Sequence, residues 1–149
     1  MVDCPSGLTG PTAGVLGAST HLVAPIQAEP LGLRTIPGIL RAVADLRAQG
    51  SVIELVAFVM TMLTLGDPNS MNVLLEAWDL IPHDRIIETN IMRDPVFMEA
   101  SSKGVPLGLL RTPPPTAAGV FDSLAAEVES RLHLHREGVG HEPISLLVD

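Results

Sequence analysis

The chain is poor in the residues on which several kinds of chemistry depend. It holds one cysteine, Cys4, in 149 residues. That excludes an internal disulfide and any zinc site built from several cysteines. It has no tyrosine and 3% aromatic residues, so a base-stacking platform for nucleic acid is poorly supplied. Lys103 is its only lysine, no segment concentrates Lys or Arg, and the formal net charge is −8 with a pI of about 4.9. Little phosphate neutralisation is therefore available, which argues against strong DNA binding by the chain. No apolar run approaches the roughly 18 residues of a membrane span. No basic stretch followed by an apolar core opens the sequence, as a signal peptide would require. The expectation is a cytoplasmic chain with no membrane contact.

What the sequence does hold is apolar. Hydrophobic residues make up 46%, charged residues 17%, and the mean hydropathy is +0.36. That composition excludes intrinsic disorder and suits elements covered on both sides. The length fits one domain or part of one.

Strand and helix patterns alternate. His21 to Ile26 reads as a buried strand. Ile36, Ile39, Leu40, Val43 and Leu46 paint one face of a helix over Leu33 to Gln49, closed by Gly50. Val52 to Leu63 is nearly continuous apolar sequence, the pattern of a strand buried on both faces of a parallel sheet. Gly66 to Asn69 is a loop, and Ser70 is a candidate cap for a helix carrying Val73, Leu74, Ala77 and Leu80. Pro82 to Asp84 turns, and Ile86 to Asn90 is a short strand. Pro95 to Lys103 is a short helix stopped by Gly104, and Val105 to Leu110 a candidate strand. A rigid connector, Thr112 to Pro115, leads into a last helix from Thr116 to about His135. The alternation predicts right-handed βαβ units in a doubly wound, mostly parallel α/β sheet. Met1-Val2 looks like the end of a strand running into a loop.

In open α/β sheets ligands sit beyond the carboxyl ends of the strands. Asp3 stands at such an end, where a carboxylate can orient Mg²⁺. Asp also caps turns, and from the residues both readings stand.

The order of motifs is more specific than any one of them. Asp3-Cys4-Pro5-Ser6 and the run Pro25-Ile26-Gln27-Ala28-Glu29 are followed by Leu31-Gly32-Leu33 and Met60-Thr61-Met62-Leu63. Further on come Thr89-Asn90-Ile91-Met92-Arg93-Asp94 and Glu99-Ala100-Ser101 with Lys103-Gly104-Val105-Pro106. From Asp3 to about Leu132 this series resembles the ParA/MinD family of deviant P-loop ATPases, and partition ATPases more than MinD. The resemblance implies a P-loop NTPase-type sheet, ATP and Mg²⁺ as cofactors, dimerisation and a stimulating partner of the ParB type. It implies a role in segregating DNA or positioning another cargo. It places Asp3 in the magnesium shell and Gln27, Glu29, Arg93 and Asp94 around the nucleotide and dimer face. For Gln27 and Glu29 a solvated loop is the other reading. Arg93 and Asp94 either line the adenine side or pair with each other. Thr64, Asp67 and Asn69 occupy the loop where the family approaches the base, or form an ordinary loop.

The departures are as informative. A P-loop needs Gly-Lys-Ser/Thr, because backbone N–H groups and the lysine hold the phosphates. Lys103 is followed by Gly-Val, so the sequence contains no P-loop. The expectation is the C-terminal half of such an ATPase over 1–136, nucleotide-incompetent by itself, with a loose tail or edge strand over 137–149. Its partner would be a second copy or a complementary P-loop half. Ser6 replaces the family's second proline, Met92 the proline before Arg93, and Val96 a second arginine that contributes to DNA binding. The competing expectation is a non-enzymatic interaction or dimerisation module, or a gene remnant that kept the scaffold. His133, His135 and His141 do not suggest a metal site, since residues two apart on a helix diverge by about 200°. Cys4 has Asp3 beside it and no nearby cation to activate a thiolate.

Overall fold

The computed structural model describes residues 1–133. The expected tail over 137–149 lies outside them; the helix expected to reach about His135 ends at Arg131, with Leu132 and His133 in a turn. In order, the elements are α1 (Pro11–Ala18), β1 (His21–Gln27), α2 (Pro30–Leu33), α3 (Ile36–Ala48), β2 (Glu54–Thr61), α4 (Pro68–Leu80), α5 (Pro95–Lys103) and α6 (Thr116–Arg131). Short 3₁₀ turns occupy His83–Arg85 and Leu107–Leu109. The class is α/β, as the alternation predicts. No helix among the described residues is long and apolar enough to cross a membrane.

β1 and β2 pair in parallel, His21 opposite Glu54 and Gln27 opposite Thr61, with one irregularity between Leu22 and Val23. The two burial patterns differ. In β2, Leu55 to Met60 are all buried, whereas β1 alternates, with Ala24 and Ile26 buried and Val23, Pro25 and Gln27 exposed. Apolar side chains on both faces of β2 require cover on both. On one face Ala24, Ile26, Phe58 and Met60 pack with Leu16 of α1, Ile36 and Val43 of α3, and Val73 and Ala77 of α4. On the other, Val56, Ala57, Val59 and Ile87 form a smaller cluster covered by Leu124, Val128 and Leu132.

Backbone directions explain why β1 tolerates a proline. In a parallel ladder alternate residues turn their N–H and C=O to opposite neighbours. Thr20 C=O accepts from Glu54 N–H at 2.8 Å, and Ala28 N–H donates to Thr61 C=O at 2.9 Å. The even-numbered residues of β1 therefore face β2. Pro25, which has no N–H to give, falls on the outer edge, where no strand pairs among the described residues and where a proline costs no ladder bond.

Several expectations are corrected. The strand expected from Val52 to Leu63 covers Glu54–Thr61; Val52 is exposed, and Met62 leaves the extended region at φ 56°. The helix expected from Leu33 is interrupted after α2 and restarts at Ile36, with proline at the start of each piece, where a missing N–H costs nothing. Ser70 does not cap α4. Asp67 does, accepting from Asn69 N–H at 3.1 Å, and Ser70 is buried, its hydroxyl accepting from Thr64 N–H at 3.1 Å. Segment 86–92 forms no regular strand but lies parallel to β2. Ile87 N–H donates to Phe58 C=O at 3.0 Å and Ile91 N–H to Met60 C=O at 2.9 Å. Val105 to Leu110 is a turn rather than a strand, since Pro106 and Gly108 do not sustain a ladder. Met1 and Val2 lie outside any strand and are exposed.

Candidate functional site

The carboxyl ends of β1 and β2 and the end of segment 86–92 lie on one edge of the fold, and the loops that leave them carry most of the candidate residues. Gln27 ends β1 with its side chain exposed, and its C=O accepts from Glu29 N–H at 2.8 Å. α2 then folds back against that carbonyl so closely that only glycine fits. A Cβ on Gly32 would stand 2.2 Å from Gln27 O and 3.2 Å from Ile26 Cγ2.

From the third loop Arg93 reaches across. Its Nη2 lies 3.1 Å from Glu29 Oε1 and 3.7 Å from Met62 Sδ. The Arg93 backbone is fixed underneath, its N–H donating to Leu63 C=O at 2.8 Å, while Leu63 N–H donates to Ile91 C=O. Met62 between them has positive φ, a conformation uncommon for a long side chain. All three loops thus meet at the Arg93 guanidinium, which pairs with Glu29 and touches Met62. Both partners are about half exposed, 55% for Arg93 and 50% for Glu29, so the pair is a weak tether rather than a source of stability.

The other candidates behave differently. Asp94 does not pair with Arg93. It caps α5, accepting from Val96 N–H at 2.9 Å. Asp3 lies in the exposed opening segment, bonded to none of the other described residues. Asp67 and Asn69 bond to each other at the start of α4. Met62 and Gly32 belong to the motifs that carry the resemblance, but no sequence signal marks a methionine for positive φ or Gly32 as the backbone contact that shapes the loop.

Of the residues that the resemblance places around ATP and Mg²⁺, the fold brings Glu29 and Arg93 together and leaves Asp3 apart. They supply a charged rim and an isolated carboxylate. The sequence carries no phosphate cradle, and no group of three His, Cys, Asp or Glu among the described residues could hold a metal ion. A cleft of about 720 Å³ between Leu107 and the first turns of α6 is lined by none of the candidates.

Two further clusters are structural. At the amino end of β2, Arg85 bonds Glu54 at 2.9 Å and also bonds the Leu55 carbonyl. Hydrogen bonding by the Arg85 guanidinium, and then its charge, holds the Glu54 carboxyl below the usual range. On α6, Glu127 accepts from Glu88 N–H at 2.8 Å and Thr89 N–H at 3.2 Å. Burial alone would raise its pKa, but those two N–H bonds, helped by Arg131, outweigh it and the carboxyl titrates low.

The geometry defines an α/β fold with a parallel sheet and loops gathered at the strands' carboxyl ends. No family model matches the sequence, and no curated protein does. Among solved structures the fold is similar to that of apo McdA from Cyanthece, with a TM-score of 0.61 at 19% identity. The match covers 76% of this chain and 47% of that one, so the chain spans about half the length of McdA. At that identity the likeness is one of fold.

Proposed function

We propose that this chain is a ParA-like positioning protein's carboxyl-side portion, whose loop edge becomes a nucleotide and dimer rim only when joined to a P-loop half. The observation that carries the reading is the convergence of Glu29 and Arg93 from two distant loops at the strands' carboxyl ends, in a fold shared with McdA. ATP and Mg²⁺ would be held jointly. This chain would supply Arg93 and Glu29 at the rim and Asp3 toward the metal, and the phosphate-binding groups would come from the other half. Among the described residues the outer edge of β1 is unpaired, which supports such joining, because an unpaired parallel strand is a template for another. A ParB-type partner and a cargo are part of the same reading. The test is co-expression with the P-loop half of a ParA-type ATPase. A stable complex in equal proportion is expected, weakened by a proline at Val23, whose backbone faces the open edge. Separate elution of the two halves would overturn the reading.

A non-enzymatic interaction module is the second reading. It is favoured by the Glu29–Arg93 ion pair, in which each side chain already has a partner.

A further inference from the structure

α4 carries more apolar surface than its packing uses. Ser70, Val73 and Ala77 are buried against the core. Met71, Leu75 and Trp78 are 38%, 63% and 41% exposed. At about 100° per residue, these three fall within an arc of roughly 60°, a stripe set away from the buried face. Asn72, Glu76 and Asp79 project along one flank, roughly 80–140° round the helix from the stripe. α4 has no Lys or Arg to balance those acids.

The charge decides the occupant. A second copy would set Glu76 and Asp79 against their own equivalents, within a chain of net charge −8. An anionic membrane surface would meet the same repulsion. We infer that the Met71–Leu75–Trp78 stripe docks a basic amphipathic helix of a partner protein, its apolar face on the stripe and its Lys or Arg side chains against Glu76 and Asp79. α4 joins β2 to segment 86–92, and the stripe includes no residue of β1. The inference therefore does not rest on the nucleotide reading or on completion of the sheet.

Trp78 is the only tryptophan, so its fluorescence reports on the stripe directly. The probe is a synthetic helical peptide of about four turns, with leucines at i, i+4 and i+7, flanking lysines and no aromatic residue. An acidic twin carries glutamates in place of the lysines. Titration into the full chain at low salt is expected to give a saturable blue shift. Affinity for the basic peptide should be at least about tenfold that for the twin, with the gap closing as salt screens the charges. Leu75→Ser should abolish the shift. The double variant Glu76→Lys with Asp79→Lys should reverse the preference toward the acidic twin. Equal binding of both peptides, absence of any shift, or tighter binding to anionic phosphatidylserine vesicles would overturn the inference. So would a blue shift produced by concentrating the chain without peptide, which would mean that a second copy takes the stripe.

Discussion

Glu127 offers the sharpest stability test, because its carboxylate, beside the Arg131 guanidinium that bonds the Asp84 and Ile86 carbonyls, fastens α6 to a segment that is not a regular strand. Its two oxygens accept from Glu88 and Thr89 N–H at 2.8 and 3.2 Å, and Arg131 stands 3.6 Å away. The side chain is 24% exposed, so solvent screening is incomplete. A hydrogen bond to a charged group contributes about 1.5–3 kcal/mol net, less where water can replace the carboxylate. Because Glu88 is exposed and Thr89 half-buried, Glu127→Ala should cost about 2 kcal/mol, and Glu127→Gln, which keeps one acceptor, about 1 kcal/mol. For a chain of this size that corresponds to a fall in Tm of roughly 3–5 °C per kcal/mol. The pH dependence has a definite sign. The folded pKa of Glu127 is lowered, so its stabilisation is fully present above the unfolded value of about 4.3 and is lost as pH falls through the folded pKa. Thermal melts of wild type and Glu127→Gln should therefore differ at pH 7 and converge on acidification. Melts that coincide at pH 7, or a gap that persists undiminished at pH 3, would refute the clamp.

Gly32→Ala should destabilise by about 1–3 kcal/mol, because the new methyl would meet a backbone carbonyl rather than a flexible side chain; a melt unchanged from wild type would show that α2 can move freely away from β1. Arg93→Ala should lower the Tm of the chain by at most about 3–5 °C, since an exposed ion pair contributes about 0–1 kcal/mol; a drop well beyond that would make Arg93 structural rather than functional. Retention of long duplex DNA should vanish at about 0.15 M salt, where the Debye length is about 8 Å, and a shift that persists there would contradict the charge argument.

The parts of the fold legible in sequence were those set by one-dimensional pattern. The unbroken run through Phe58 and Met60 marks β2 as a doubly buried strand, and the Pro95 start and Gly104 stop mark α5. What escaped depends on contacts distant in sequence. Segment 86–92 has an apolar start that looks like a strand, but it follows β2 only through scattered bonds and is held by Glu127 from about 40 residues downstream. Asp67 rather than Ser70 caps α4 because Ser70 is drawn inward to the 64 loop and toward Ala28, which no local signal shows. In the site, the resemblance picked out Gln27, Glu29, Arg93 and Asp94 as a group. The fold joins Glu29 with Arg93 and gives the Asp94 side chain to α5, a division that turns on the reach of one guanidinium across three loops.

The central claim is that the phosphate-holding groups lie outside this chain while its loop edge completes the nucleotide site. Calorimetric titration of Mg²⁺-ATP into the chain alone, and then into its complex with a P-loop half, tests that claim most directly. The account predicts no binding at micromolar concentrations to the chain alone. The complex should bind, and lose most of its affinity with Arg93→Ala or Asp3→Ala in this chain. Micromolar binding to the isolated chain, or binding by the complex that neither substitution changes, would contradict it.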